Sequence, residues 1–115
     1  MSASMTRDGM ADQIAVELGH SFDGEICVGG HYASVLRGGC TVYLSGQVPR
    51  VGAEVVVTGR VGAQTSLAQA QHGAQICTLR ALALLRQTLG SLEAVDKVLR
   101  LTVYVQATAD FIDSR

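Results

Sequence analysis

Charge is scarce in this chain, and positive charge is nowhere concentrated. Of its 115 residues only 17% are Asp, Glu, Lys or Arg, the formal net charge is -1, and no run of lysine or arginine occurs. A protein that binds a nucleic-acid backbone needs a concentrated positive surface, so the sequence disfavours that class. Hydrophobic residues make up 48%, which is enough for the packed core of one compact domain and argues against disorder.

Long apolar runs are also missing. No stretch is both long enough and free enough of charge to span a bilayer. The first 19 residues carry four charged side chains and lack the apolar core of a signal peptide. We therefore expect a cytoplasmic protein without a membrane partner.

Cysteine is too sparse for a disulfide framework or a metal cluster. The three cysteines are widely spaced and form no Cys-x-x-Cys pair: Cys27, Cys40 and Cys77. The three histidines show neither helical metal-ligand spacing nor a neighbouring cysteine cluster. We expect free structural thiols and no metal site.

Two apolar runs predict a β-hairpin. Residues 31–36 and 40–44 flank the Arg-Gly-Gly sequence at 37–39, and glycine accepts the positive φ angles that tight turns need. Residues 55–58 (Val-Val-Val-Thr) end at Gly59 and predict a further short strand.

Helical signals are strongest after residue 65. Ser66 and Gln69 fit a capping box, and Gly90 supplies a C-terminal stop. Between them, apolar positions recur at helical spacing: Ala70, Ala74, Cys77, Ala81 and Leu84. A shorter helix is predicted over residues 13–18, ending near Gly19.

Residues 98–106 alternate with the period of a strand. One face is apolar: Leu99, Leu101, Val103 and Val105. The other is polar or amphipathic: Arg100, Thr102, Tyr104 and Gln106. We expect the apolar face to pack on the long helix and the opposite face to meet water or another subunit. The order hairpin, strand, helix, strand predicts an α+β layer fold with a helix on one sheet face.

The C-terminal residues predict the start of another helix. Residues 108–112 read as a capped first turn with Asp110 at the N-cap, and the sequence stops about one turn later. Because a single turn has little stability, we expect the sequence to be a fragment, or the ordered part, of a longer domain.

One short stretch combines a strand with an unusual exit. Residues 41–50 read TVYLSGQVPR, an apolar run that breaks at Ser45, Gly46 and Gln47 before the only proline, Pro49. Spacing leaves two interpretations open, a simple turn or the wall of a ligand pocket. Tyr32, on the preceding strand, could equally pack across the hairpin or orient a polar ligand.

Taken together and in order, three stretches resemble the Rid family, the YjgF-like reactive intermediate deaminases. These stretches read GGHYASVLRGG, VYLSGQVPR and SLAQAQHGAQICTLRALALLRQTLGSLEAVDKVLRLTVYVQATADF. The resemblance covers residues 29–111, and the spacer containing VTGRVG is typical of a divergent subgroup. It divides the chain into an N-terminal extension with a possible short helix, residues 1–28, and a Rid-like domain, residues 29–115, that we expect to be incomplete at its C-terminal end.

The resemblance implies a chorismate-mutase-like α+β fold, with helices packed on one face of the sheet, and a homotrimer with ligand pockets between subunits. Rid enzymes hydrolyse enamine or imine intermediates to 2-keto acids and ammonia without a metal or cofactor. By the motif, Tyr32 would line the pocket, Ser45 would hydrogen-bond a small carboxylate or imino acid, and the N–H of Gly46 would hold a carboxylate or water. Gln47 would support the turn.

The resemblance leaves the catalytic residues unassigned. In the family an arginine clamps the substrate carboxylate and a glutamate positions water, and neither has a match in residues 1–115. A noncatalytic binding or regulatory module is the alternative function, and RNA cleavage, attributed to some relatives, is disfavoured by the near-neutral charge.

Overall fold

The computed structural model describes residues 6–22 and 33–111. In chain order these residues form α1 (Arg7–Leu18), β1 (Val35–Gly38), β2 (Thr41–Leu44), β3 (Arg50–Val51), β4 (Glu54–Val55), α2 (Leu67–Leu89) and a short 3₁₀ helix (Leu92–Ala94). Helix α2 contacts both hairpins, which confirms the predicted α+β class. Neither α-helix in the described ranges combines the length and hydropathy that a bilayer crossing needs.

The predicted hairpin is confirmed by strands β1 and β2. They pair antiparallel, with Val35 opposite Leu44 and Gly38 opposite Thr41. The turn consists of Gly39 and Cys40 rather than residues 37–39 because β1 continues through Gly38, and Gly39 takes the positive φ of 60° that the turn needs. Residues 31 and 32 of the predicted first run lie outside the described residues.

The predicted strand over residues 55–58 is mostly wrong. Only Val55 of that run is in a strand, where it pairs with Arg50 in a second, two-stranded hairpin. Val56 donates its N–H to the carbonyl of Pro49 at 2.9 Å. Proline has no N–H to return, so regular pairing ends there.

Helix α2 forms as predicted, because both of its ends are specified locally. Ser66 and Gln69 exchange the two bonds of a capping box, and Gly90 ends the helix in the left-handed region with φ 89°. Its buried face is made by Gly73, Ile76, Leu79, Arg80 and Leu84. Ile76 is fully buried, a burial worth about 1.5–3 kcal/mol for such a side chain.

Helix α1 begins earlier than predicted. The Thr6 side chain accepts the N–H of Gly9, a cap that the apolar pattern of residues 13–18 does not reveal, and Gly19 ends the helix as expected. No residue of α1 is buried. Polar contacts therefore contribute to its position, together with the half-buried Ala11, Ala15 and Leu18.

These contacts form what we call the polar clasp, which joins α1 to the C-terminal end of α2 and to the 3₁₀ helix. Its members are the Arg7 N–H with Glu93 Oε1 at 2.7 Å, the Leu92 N–H with Asp8 Oδ1 at 2.8 Å, and Arg86 Nη1 with Asp12 Oδ1 at 2.7 Å. Exposed ion pairs contribute little individually, typically about 0–1 kcal/mol. The docking of α1 should therefore be easily reversed.

Acid should release α1, and we expect Asp8 to be responsible. The backbone N–H of Leu92, the hydroxyl of Ser91 and the charge of Arg86 lower the pKa of Asp8 below its ordinary value of 3.8. A lowered carboxyl pKa gives stability that is present above the ordinary value and is lost as pH falls through the folded one. The protection of the α1 amides against hydrogen exchange, corrected for the intrinsic pH dependence of exchange, should therefore fall below about pH 4.

The matched variants are Asp8→Asn and Asp12→Asn. Asp8→Asn removes the titrating group, so the protection of the α1 amides against exchange should depend much less on acid in this variant. Asp12 bonds only a side chain in the clasp, so Asp12→Asn should keep the acid dependence. If the α1 amides of Asp8→Asn lost their protection in acid as fully as those of the original protein, a group other than Asp8 would be responsible for the release of α1.

The prediction of a strand over residues 98–106 is wrong for the described chain. No strand is present there, and the apolar side chains expected on the helix are exposed, from 49% at Val105 to 80% at Leu101. The segment is anchored only at its end, where the Val61 N–H donates to Gln106 and the Thr108 N–H donates to Val61. A strand needs a neighbour for its backbone groups, and α2 cannot provide one.

The predicted C-terminal helix lies largely outside the described residues. Within them, the Phe111 N–H donates to the carbonyl of Thr108 at 3.1 Å, and residues 109–110 form a turn.

Candidate ligand-binding site

The exit of β2 is the centre of the candidate site. Ser45 donates its N–H to the Ser34 carbonyl at 2.9 Å and so extends the hairpin by one rung. The chain then leaves the sheet through Gly46 and Gln47. We call residues 45–47 the Ser-Gly-Gln rim. Ser45 and Gln47 are half-buried and Gly46 is exposed, so the rim lies at the surface with its two side chains turned partly inward.

Neither the backbone conformation nor the described neighbours of residue 46 require a glycine at this position. Its φ is not positive, and a Cβ added there would meet no described atom within 4 Å. Gly73 of α2 is the contrast, because a Cβ there would come to 3.4 Å from Val57 and 3.5 Å from Pro49. Gly46 instead leaves bare backbone that a group from outside can approach closely.

The Gln47 side chain bonds both Ser45 of the rim and Arg80 of α2. Its Nε2 donates to the Ser45 carbonyl at 3.3 Å and to Ser45 Oγ at 3.4 Å. Its Oε1 accepts from Arg80 Nε at 3.0 Å. The structure thus shows Gln47 supporting the turn.

One stripe of α2 lies behind the rim. Gly73, Cys77 and Arg80 follow one another at i, i+4 and i+7, which places them on one helix face. Gly73 faces Pro49, and Cys77 Sγ donates to the Gln47 carbonyl at 3.5 Å. Because Gly73 and Cys77 are small, the segment from Gln47 to Pro49 can approach the helix closely. Arg80 is the last residue of the stripe.

Cys77 contributes a neutral group to this stripe. Burial raises the pKa of its thiol, and the charge of Arg80 opposes that rise only in part. The thiol therefore stays protonated near neutral pH and donates its S–H. This matches the free structural thiol that was expected at this position.

Arg80 was missed by the sequence reasoning. It is only 3% exposed. Besides its bond to Gln47, it donates from Nη1 to the Arg50 carbonyl at 2.9 Å, so it contacts the chain both before and after Pro49. The sequence feature that could have revealed it is the position of Arg80, a single cation inside the apolar run ICTLRALALL. Arginine is almost never fully buried unless it is paired, so such a position deserves a search for acceptors.

The structure places two of the three predicted site residues. Ser45 and Gly46 are consecutive on the rim, whereas Tyr32 lies outside the described residues and its role stays a prediction. Within residues 6–22 and 33–111, no three His, Cys, Asp or Glu side chains are grouped for a metal ion.

A cavity beside α1 is separate from the rim. It has a volume of about 350 Å³ between α1, α2 and the 3₁₀ helix, and its walls include Ala15, Leu82, Ala83 and Arg86. No rim residue lines it.

Comparison with known proteins identifies the architecture. No family model matches the chain. A solved structure of Atu1372 from Agrobacterium tumefaciens, of unknown function, matches with a TM-score of 0.71 and 30% identity, covering 91% of this chain and 66% of that one. A proposed endoribonuclease from Shewanella oneidensis matches with a TM-score of 0.61 and 24% identity, covering 72% and 55%. The chain has a Rid-like fold.

This Rid-like fold is the chorismate-mutase-like α+β architecture predicted from the motifs. The sequence is also 29% identical over 83 residues to Protein TCP17 of Trypanosoma cruzi. That match covers 72% of this chain and 52% of TCP17, so the Rid-like chain spans about half the length of this curated relative.

Proposed function

We propose that this Rid-like protein binds small 2-keto or 2-imino acids at the Ser-Gly-Gln rim. The observation that carries the proposal is Gly46, whose bare, exposed backbone lies beside the Ser45 hydroxyl on a turn supported by α2. A hydroxyl and a neighbouring backbone N–H can each donate to a carboxylate. Tyr32 would complete the pocket wall.

The proposed reaction is hydrolysis of an enamine or imine. Water adds to the imine carbon, the C–N bond breaks, and the products are a 2-keto acid and ammonia. No redox partner is consumed. The arginine and glutamate that Rid enzymes use for this step have no match in residues 1–115. The geometry of the rim therefore supports ligand binding directly. Deamination is proposed in addition and requires catalytic groups beyond the rim.

The proposal includes a homotrimer with pockets between subunits. Its support in this chain is the segment 98–106, where Val98, Leu99, Leu101, Val103 and Tyr104 are each at least 65% exposed. Large exposed apolar patches commonly mark association surfaces. A second copy would supply the strand neighbour that the segment lacks among the described residues.

A noncatalytic binding module is the second candidate function. Among the described residues, the side chains that bond the rim are those of Cys77 and Arg80. One is a protonated thiol and the other a permanent cation, so neither serves as a general base near neutral pH. RNA cleavage is disfavoured by the net charge of -1.

Calorimetry with 2-oxobutanoate and ammonia release from freshly generated 2-iminobutanoate test the proposal. We expect saturable binding by a protein of trimeric mass in light scattering, and ammonia release above the uncatalysed rate. Binding without extra ammonia would assign the noncatalytic function. No binding and no ammonia release would refute the proposal, and a monomeric mass would refute its trimer.

A further inference from the structure

We infer that Arg80 is a positioning residue that orients the Ser-Gly-Gln rim through Gln47. The effect on a ligand rests on the proposed function, whereas the effect on rim conformation can be measured without any ligand. Arg80 donates to an acceptor on each side of Pro49, one on Gln47 and one on Arg50.

The guanidinium bridges the two ends of the segment that follows β2. Its Nε donates to Gln47 Oε1 at 3.0 Å and its Nη1 to the Arg50 carbonyl at 2.9 Å. The donors of a guanidinium are planar and fixed in direction. Arg80 therefore fixes Gln47 relative to Arg50 in a way that a single flexible donor could not.

This contact decides which way the Gln47 amide points. A glutamine amide has an acceptor oxygen on one side and a donor nitrogen on the other. Because Arg80 can only donate, it selects the oxygen, and the nitrogen is left to face Ser45.

The orientation of the amide in turn decides the role of the Ser45 hydroxyl. Ser45 Oγ accepts from Gln47 Nε2 at 3.4 Å, a long bond, and its own proton stays available for another acceptor. A carboxylate oxygen is such an acceptor. Arg80 thus prepares Ser45 as a donor without touching the ligand.

Packing alone does not require an arginine at this position. Arg80 is 3% exposed on the core face of α2, beside Ile76 and Leu84 in the same buried set. Well-packed hydrophobic residues often replace even buried ion pairs without loss of stability. What an apolar residue could not supply is the directional pair of bonds to Gln47 and Arg50.

The first test is Arg80→Lys, which keeps the charge but replaces the planar fork by a single ammonium. In ligand-free protein, we expect NMR shifts at the Gly46 backbone amide and the Gln47 side-chain amide. The affinity for 2-oxobutanoate should fall about tenfold. Arg86→Lys is the matched control, the same change on the same helix with its contacts in the polar clasp.

Gln47→Met interrupts the same series of contacts, from Arg80 through Gln47 to Ser45, by changing the turn instead of the helix. It keeps the test decisive if Arg80→Lys does not fold. Its effect on affinity should match that of Arg80→Lys, and the double variant should be no worse than either single one. A purely structural Arg80 would lower the urea midpoint but leave the Gly46 amide resonance and the affinity unchanged, which would overturn the inference.

The two proposals fail separately. Wild-type protein that binds no 2-oxobutanoate would refute the proposed function, yet shifted rim resonances in Arg80→Lys would still establish the positioning role. Unshifted resonances together with normal binding would refute the positioning role alone.

Discussion

Replacing Gly62 by alanine is expected to lower the free energy of unfolding by about 3 kcal/mol. Gly62 has φ 96°, where an L side chain costs roughly 1–2 kcal/mol. An added Cβ would also lie 2.6 Å from Thr108 Oγ1, closer than real contacts allow, and 3.5 Å from Phe111 Cβ. The overlap falls beside the bond between Val61 and Thr108 that anchors the exposed segment.

Urea unfolding measures this loss as a lower midpoint with an unchanged slope. Gly52→Ala is the control because Gly52 has a similar strain, φ 63°, but a Cβ there would meet no described atom within 4 Å. It should cost only the strain, roughly 1–2 kcal/mol. Equal losses for the two variants would show that Thr108 moves aside without cost.

Gly46→Ala is expected to weaken binding of 2-oxobutanoate by at least about tenfold while leaving the fold intact. The φ of Gly46 suits alanine and the space around its Cα is open, so the free energy of unfolding should change by no more than about 0.5 kcal/mol. A methyl group on the rim would occupy the place from which a carboxylate approaches the backbone N–H. Calorimetry measures the affinity, and urea unfolding measures the stability.

Gly38→Ala is the matched control for this variant. Gly38 is also exposed, lacks a positive φ, and has open space at its Cα, but it lies at the turn end of β1, away from the rim. It should bind 2-oxobutanoate as the original protein does. If Gly46→Ala bound equally well, the carboxylate would have to approach another part of the molecule.

The elements that the sequence predicted well are those that local chemistry specifies. The ends of α2 follow from Ser66 and Gly90, whose effects reach only one turn along the chain. The β1–β2 turn follows from Gly39 for the same reason. The start of α1 was missed because the apolar pattern of residues 13–18 does not reveal the Thr6 cap, and the polar clasp that docks the helix joins residues distant in sequence.

Residues 98–106 show why alternation alone does not predict a strand. Alternation reports two faces of different polarity, whereas a strand also needs a partner for its backbone. The same distinction applies at the site. Ser45 and Gly46 could be named from a motif, but the role of Arg80 depends on acceptors 30 and 33 residues away in sequence.

The exposed segment also makes aggregation a hazard for this protein. Residues 101–106 (Leu-Thr-Val-Tyr-Val-Gln) contain no charge and no proline and are rich in residues that favour β-structure. These are the features of a segment that stacks on copies of itself. Lys97 and Arg100 protect one end by charge repulsion, so a charge-removing change at Arg100 would expose the chain to fibril formation before any correct assembly covers it.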